Sequence, residues 1–229
     1  MRPAQPGLPF PPLRTRPEAF VEGAGNRDAL ERLGAWRAGL ERPARPLAVV
    51  IAVTGPPGSG KSRLLEREAA GFGVAVRTAA TDFEEELGAP AICADDAHEF
   101  EPLSLFALIE ACAQRGTPLV LAGAGRLADW SGAGAAKLPD LASRLRSVAH
   151  APLGPPDEAM LASVLAEQLA RRGLRAPFAG VAEAAGKLRR EYAAAIGLAE
   201  AAERLAARGY KKPIALLRDA LAEAREHAL

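Results

Sequence analysis

The chain has 229 residues, enough for one large domain or for one domain with a small satellite. Its content of 49% apolar and 25% charged residues excludes a mostly disordered chain and a coiled coil, and the net charge of +1 excludes the overall basicity of a protein that coats nucleic acid. Two cysteines are too few for a disulfide framework or a zinc site, and no apolar run approaches the roughly 18–20 residues that cross a bilayer. We therefore expect a cytoplasmic protein without a membrane partner.

The first two thirds of the chain alternate between helical and strand-like segments. Six prolines within residues 1–17 exclude regular structure there and predict a flexible, extended tail over residues 1–18. Apolar residues at helical spacing predict a helix over 26–40. Short apolar runs predict buried strands at 47–53, 74–76, 91–94, 119–121 and 147–153, with a helix at 103–113. Strands that alternate with helices predict an α/β fold with a parallel sheet of about five strands.

The pattern changes after Gly154, where strand-like runs end. Helical spacing predicts four helices, at 157–172, 178–190, 192–208 and 213–228. The predicted organisation is therefore a tail at 1–18, an α/β domain at 19–153 and a small all-helical domain at 154–229.

A glycine-rich loop lies between the strand at 47–53 and a helix that begins near Ser62. Residues 55–62 read GPPGSGKS and satisfy the pattern G-x-x-x-x-G-K-[ST], whose backbone N–H groups surround a nucleotide phosphate. In this pattern Lys61 contacts the β- and γ-phosphates, and Ser62 is a ligand of Mg²⁺. The alternative is a plain glycine turn. The predicted nucleotide-binding residues are Gly55, Pro57, Gly58, Ser59, Gly60, Lys61 and Ser62.

Two adjacent acidic residues, Asp95 and Asp96, follow the strand at 91–94. A carboxylate at the tip of a neighbouring strand can hold the Mg²⁺ of such a site through water, which is the role predicted for Asp95, and Asp96 could orient an attacking water. The same pair could instead cap a following helix.

Five segments in this order resemble an AAA+ ATPase of the DnaA clade, from about Phe20 to the C-terminus. They are Phe20–Asn26, the phosphate loop, the pair Asp95 and Asp96, Leu141–Leu145 and Gly154–Asp157. The resemblance implies the three-layer AAA+ fold, a P-loop domain followed by a helical lid, which binds ADP or ATP with Mg²⁺. It also implies that Val21, Gly23 and Asn26 contact the adenine. From the residues alone, the same segment could be a turn into a helix capped by Asn26.

The segment Ser143-Arg144-Leu145 matches the arginine-finger region of this clade. The resemblance implies that Arg144 reaches the γ-phosphate of ATP bound to a neighbouring subunit or to DnaA itself. Such a finger in trans is worth ~10³–10⁵ in rate in GTPases. Without the resemblance, Arg144 would be read as an arginine near a helix end.

The tail contains a Q-x-x-L-P-F hexapeptide at residues 5–10, formed by Gln5, Leu8, Pro9 and Phe10. It resembles the peptide with which regulatory members of the clade bind the DNA polymerase sliding clamp. Leu8 and Phe10 of an extended peptide can fill an apolar pocket while Gln5 forms a hydrogen bond at its rim. Docking of the tail on another copy of the chain is the alternative, so a homo-oligomer is also compatible.

Two polar positions that active ATPases of the clade carry are filled by other residues here. The strand at 119–121 continues into Ala122-Gly123-Ala124-Gly125, and the lid segment 191–195 is alanine-rich, with Arg189 and Arg190 just before it. The resemblance therefore implies an ADP-bound negative regulator of replication initiation, tethered to the sliding clamp, which stimulates ATP hydrolysis by DnaA and reads no DNA sequence itself. Alternatives are an independent P-loop ATPase, such as a helicase loader or remodelling subunit, and a membrane- or pole-localised adaptor without nucleotide exchange.

Overall fold

The computed structural model describes residues 21–41, 45–79, 83–134, 137–209 and 213–226. These residues form two compact units. The first, called here the α/β unit, is Asn26–Gly154. The second, called the helical unit, combines residues 21–25 with the described residues from Pro155 onward. The hexapeptide of the tail, with Gln5, Leu8, Pro9 and Phe10, lies outside the described residues.

The α/β unit is built on a five-stranded parallel sheet. Its strands are β1 (Val50–Thr54), β2 (Val76–Arg77), β3 (Ile92–Ala94), β4 (Leu119–Gly123) and β5 (Ala149–Pro152), in the spatial order β2-β3-β4-β1-β5. Val50 of β1 is opposite Leu119 of β4, and Ile51 is opposite Ala149 of β5. Because every pair is parallel, all strands end at the same edge of the sheet.

Helices cover the sheet on both faces. The unit contains α1 (Arg27–Gly39), α2 (Lys61–Phe72), α3 (Pro102–Arg115) and α4 (Pro139–Leu145). Alternate strand residues, such as Val50, Ile92 and Leu121, form one core with α3 and α4. The residues between them, such as Ile51 and Cys93, point to the opposite face because side chains alternate along a strand. They are fully buried, and α2 contacts β3 and β4.

The helical unit contains α5 (Glu158–Arg171), α6 (Phe178–Gly186), α7 (Tyr192–Ala207) and α8 (Pro213–Glu226). α7 packs against both α5 and α8, with its apolar residues in one core shared with α6. Four alanines of α7 lie in this core, and their small side chains allow neighbouring helices to approach closely. The sheet with its helices, followed by a helical part, confirms the predicted fold class.

Several element bounds differ from the sequence prediction: the strand predicted at 74–76, for example, lies at Val76–Arg77. Two of the differences have an identifiable local cause. The strand predicted at 47–53 begins only at Val50, because a 3₁₀ turn occupies Pro46–Val49. Proline favours such a turn at its first position, since its φ suits a first helical turn and it lacks the N–H that a strand interior needs. The helix predicted at 178–190 ends at Gly186, since glycine is a poor helix former. No helix within the described ranges is long and apolar enough to cross a membrane.

Candidate functional site

The glycine-rich loop connects the buried strand β1 to the first residue of α2, Lys61. Gly58 and Gly60 have φ values of +77° and +90°, a left-handed conformation that residues with a side chain rarely adopt. The backbone of Ser59 donates to the carbonyl oxygen of Pro56 at 3.2 Å. The two left-handed glycines therefore turn the chain sharply and leave N–H groups at the N-terminus of α2, where the helix dipole favours an anion.

Lys61 lies inside this loop. Its Nζ donates to the carbonyl oxygens of Gly55 at 2.9 Å and Pro56 at 3.0 Å, and the residue is only 8% exposed. Burial lowers the pKa of Lys61 from 10.5, while the charges of Asp95 and Asp96 act in the opposite direction. The two carboxylates thus offset only part of the free-energy cost of burying the Lys61 ammonium, and an anion bound in the loop would offset the remainder.

Gly55 is closely packed at the start of the loop. A methyl group here would lie 2.7 Å from Ser59 Oγ and 2.9 Å from Leu153 Cβ. Among the described atoms, the buried hydroxyl of Ser59 has no hydrogen-bond partner. A buried hydroxyl without a partner is unfavourable, so it fits a ligand that supplies one. Ser62, on the first turn of α2, is exposed and leaves its hydroxyl available to a metal ion.

The pair Asp95 and Asp96 follows β3 at the same edge of the sheet. Asp95 is only 8% exposed. Its backbone N–H donates to the Arg77 carbonyl at 2.8 Å, and its side-chain Oδ1 accepts from the Asp96 N–H at 2.9 Å. Asp96 has a φ of +50°, unusual for a residue with a side chain. Its side chain makes no capping bond to the following 3₁₀ turn Ala97–Glu99. The structure therefore does not support the alternative that Asp96 caps a helix, and it holds both acids near Lys61.

The end of β4 has no room for a side chain. A methyl group at Gly123 would lie 2.5 Å from Cζ2 of Trp130 and 3.1 Å from the backbone nitrogen of His98. Trp130 is 3% exposed, and its Nε1 donates to the Ala124 carbonyl at 2.7 Å. The indole, brought back by the 3₁₀ turn Leu127–Ser131, therefore fills the space beside the strand end. Sequence reasoning noted the small residues of 122–125 but not the tryptophan that packs on them.

Arg144 lies in α4 and forms a two-pronged ion pair with Glu110 of α3. Arg144 Nε donates to Glu110 Oε1, and Nη2 donates to Oε2 at 3.3 Å. The Arg144 side chain is 42% exposed and that of Glu110 is 25% exposed. The arginine is therefore accessible from solvent but is held by a carboxylate of its own unit, a partner that the sequence pattern did not indicate.

The predicted adenine residues belong to both units. Val21 and Gly23 lie in the helical unit, whereas Asn26 begins the α/β unit. Asn26 is buried, and its side chain makes no capping bond to α1. Its backbone carbonyl accepts a hydrogen bond from the Leu30 N–H at 3.0 Å. Next to Gly23, the Ala24 N–H donates to Asp157 Oδ2 at 2.8 Å. Sequence reasoning placed this aspartate in a matching segment and at the start of the helix predicted over 157–172, but assigned it no role in the site.

The lid segment 191–195 contributes one polar side chain to the interior of the helical unit. Tyr192 is 2% exposed, and burial raises its pKa to about 12. Arg190, just before it, lies 3.7 Å from Glu158 through Nη2 and Oε2, with both side chains 58% exposed. An arginine near the start of α7 is therefore paired loosely at the surface of its own unit.

The chain matches solved structures across most of its length. It is 19% identical to domain III of the DnaA replication initiation protein of Thermotoga maritima, with a TM-score of 0.58, covering 92% of this chain and 99% of that one. It is 18% identical to the Thermotoga maritima RuvB Holliday junction branch migration motor, with a TM-score of 0.54, covering 86% of this chain and 69% of that one. AMPPCP-bound DnaA from Aquifex aeolicus gives 18% identity and a TM-score of 0.52, covering 85% and 66%.

These matches concern the fold. The chain spans 62% of the length of a further match, a DNA replication initiation factor, with 18% identity and a TM-score of 0.54. No protein-family model matches the sequence, and no curated protein matches it either. The sheet order, the helical part and these structural matches together show that the chain has the AAA+ fold seen in DnaA domain III and RuvB.

Proposed function

We propose that this chain is an adenine-nucleotide-binding regulator of replication initiation, of the kind represented by Hda, the regulatory inactivator of DnaA, in its alphaproteobacterial form. In this proposal it is a negative regulator that stimulates ATP hydrolysis by DnaA. The AAA+ fold shared with DnaA domain III supports the replication context. The finer role is supported by the residues that were predicted from the sequence and by their surroundings in the structure.

The phosphate loop would hold the nucleotide. Lys61, the N–H groups at the start of α2 and the Ser59 hydroxyl are donors suited to phosphate oxygens. Ser62 and, through water, Asp95 would hold Mg²⁺, which when bound would neutralise phosphate charge. Val21, Gly23 and Asn26 would contact the adenine. Two observations fit a bound phosphate: the buried Ser59 hydroxyl has no partner among the described atoms, and nearby carboxylates offset only part of the cost of burying the Lys61 charge.

The contact between Gly123 and Trp130 carries the proposal that ADP is the resident nucleotide. The end of β4 is where the clade places a polar side chain that reads the γ-phosphate, and here the indole leaves no space for one. The groups for the β-phosphate are present, so we expect ADP to bind at least as tightly as ATP. We also expect the isolated protein to hydrolyse ATP slowly.

Arg144 would act on ATP bound to DnaA. Its guanidinium could contact two phosphate oxygens of the partner's nucleotide and stabilise the charge that develops during hydrolysis. The hexapeptide with Gln5, Leu8, Pro9 and Phe10 would tether the protein to the sliding clamp on DNA, which brings Arg144 to DnaA at a high local concentration. Membrane binding and sequence-specific DNA binding form no part of this proposal.

Calorimetric titration with ADP and ATP, followed by an assay of DnaA ATP hydrolysis with clamp and DNA, tests the proposal. Arg144→Ala should bind ADP and clamp normally but lose the stimulation, with the neighbouring Arg146→Ala as the matched control. Full stimulation by a stable Arg144→Ala protein would refute the proposed role. Gln5→Ala, or Leu8→Ala with Phe10→Ala, should abolish capture by the clamp without changing thermal stability.

One observation favours the independent ATPase as a second candidate. Asp95 and Asp96 both lie close enough to Lys61 to oppose its pKa shift, and Asp96 could orient a water in the chain's own site. A clear preference for ATP, with steady turnover by the isolated protein that Asp96→Asn abolishes, would favour this candidate.

A further inference from the structure

Asp157 joins two parts of the helical unit that are far apart in sequence. Its Oδ1 accepts from the Met160 N–H at 2.9 Å and so caps the N-terminus of α5. Its Oδ2 accepts from the Ala24 N–H at 2.8 Å, a partner 133 positions away. One carboxylate therefore performs two separable tasks, since each oxygen serves a different backbone donor.

The segment at residues 21–25 approaches this carboxylate closely. A methyl group at Gly23 would lie 2.6 Å from Asp157 Oδ2 and 2.7 Å from Met160 Sδ. Asp157 is charged in neutral solution, and the hydrogen bonds from Met160 and Ala24 stabilise its charged form, which lowers its pKa below the ordinary 3.8. A charged acceptor and a closely fitted glycine together fix the position of the segment against the start of α5.

A helix cap alone does not require the second bond. Serine at an N-cap position accepts from the same backbone N–H with its hydroxyl, and stabilises helices about as well as aspartate. The Ala24 contact is thus additional to what α5 needs, and it acts on the segment that contains Val21 and Gly23.

We infer that Asp157 is a positioning residue for nucleobase recognition: its Oδ2 holds the backbone of residues 21–25 in the conformation that contacts the base. This inference depends on the proposed nucleotide-binding function, because that function assigns Val21 and Gly23 to the adenine. Asp157 acts through the segment and does not itself touch the nucleotide.

Asp157→Ser separates the two tasks, because the short hydroxyl can keep the cap but cannot serve Ala24 as well. The probes are ADP, which has a base, and inorganic pyrophosphate, which has none. We expect Asp157→Ser to weaken ADP binding roughly 10- to 150-fold, the range for losing one hydrogen bond to a charged group, and to leave pyrophosphate binding unchanged. A merely structural role would change the two affinities together or leave both unchanged.

Glu101→Ser is the matched control. Glu101 is the N-cap of α3, where its carboxylate accepts from the Ser104 N–H at 2.9 Å, but α3 belongs to the α/β unit. This variant changes a capping carboxylate without altering the bond to Ala24, and we expect normal binding of both probes. Asp157→Asn, which keeps the size and one acceptor oxygen, serves as a second variant if Asp157→Ser folds poorly.

Amide hydrogen exchange at Ala24, measured by NMR without nucleotide, reports the contact directly. We expect exchange at least about tenfold faster in Asp157→Ser than in the wild type and in Glu101→Ser. Unchanged exchange, unchanged ADP affinity, or parallel loss of ADP and pyrophosphate would each overturn the inference while leaving nucleotide binding established. If the wild type binds neither probe, the proposed function fails and the inference fails with it.

Discussion

The ion pair between Arg144 and Glu110 gives the proposed finger role a measurable energetic consequence. A two-pronged bond to a charged group can contribute about 1.5–3 kcal/mol, whereas exposed ion pairs contribute about 0.2–1 kcal/mol. With side chains 42% and 25% exposed, this pair is screened by solvent, and we expect a coupling of about 1 kcal/mol. Arg144 must leave Glu110 to contact a partner's nucleotide, so this free energy opposes the finger role.

Glu110→Gln weakens the pair while conserving side-chain size. An opposing free energy of about 1 kcal/mol corresponds to roughly a fivefold change in an equilibrium constant. The variant should therefore stimulate DnaA ATP hydrolysis half-maximally at a roughly fivefold lower concentration than the wild type. The assay is ATP hydrolysis by DnaA, with clamp and DNA present, over a concentration series of the two proteins.

A double-mutant cycle with Glu110→Gln and Arg144→Gln, read by urea unfolding, measures the coupling itself. A coupling below about 0.2 kcal/mol would show that the pair does not stabilise the fold and therefore does not oppose the release of Arg144. A coupling near 1 kcal/mol with unchanged or weaker stimulation in Glu110→Gln would refute the reasoning, because release of Arg144 would then not assist its action.

Three further outcomes are expected from the surroundings of the site. The lowered pKa of Lys61 means that the folded protein binds fewer protons than the unfolded chain at pH values just below 10.5, so the destabilisation from burying the ammonium is relieved as pH rises. Bound ADP should favour the protonated lysine, and calorimetry in buffers of different ionisation heat should detect proton uptake on ADP binding in that same pH range. Gly123→Asn should lower the free energy of unfolding by about 1–3 kcal/mol, because the new side chain overpacks against Trp130. In denaturation experiments, adding Trp130→Ala to the same chain should cancel part of that loss. Strictly additive effects of the two substitutions on the free energy of unfolding would contradict the contact. Burial raises the pKa of Cys93 and Cys112 to about 12, so neither thiol should react with a disulfide reagent at neutral pH until the protein unfolds, and rapid reaction of the native protein would be inconsistent with the fold.

The sheet and the phosphate loop can be predicted from sequence because their signals are local. A strand buried on both faces is a continuous apolar run, as at Val50–Thr54, and the loop needs its glycines at fixed offsets from Lys61. β2 spans only Val76–Arg77, and a two-residue strand gives too short a run for its bounds to be predicted. The 3₁₀ turn before β1 begins at Pro46, and because its next residues, 47–49, are as apolar as the strand, the sequence does not show where the turn ends and the strand begins.

The contacts that qualify the function are nonlocal, and for that reason sequence patterns miss them. Glu110 and Arg144 are 34 positions apart and meet only because α3 packs on α4. Trp130 reaches Gly123 through a turn whose conformation the residue types do not specify. Asp157 before an apolar helical pattern does indicate an N-cap, but its second bond, to Ala24, appears only in the folded chain.

The interior position of β1 in the sheet, between β4 and β5, has a consequence for synthesis of the protein on the ribosome. β1 pairs with β4 and β5 only, and Val50 is 69 positions from its partner Leu119. At about 5–20 residues per second, the nascent strand that leads into the phosphate loop stays without a partner strand for roughly 3–14 seconds after it is made. During that interval an apolar segment is exposed to other chains, so we expect soluble yield to depend on translation rate and on chaperones that shield strands. Ribosome-bound chains that stop before β4 should bind such chaperones more strongly than chains that extend past β5.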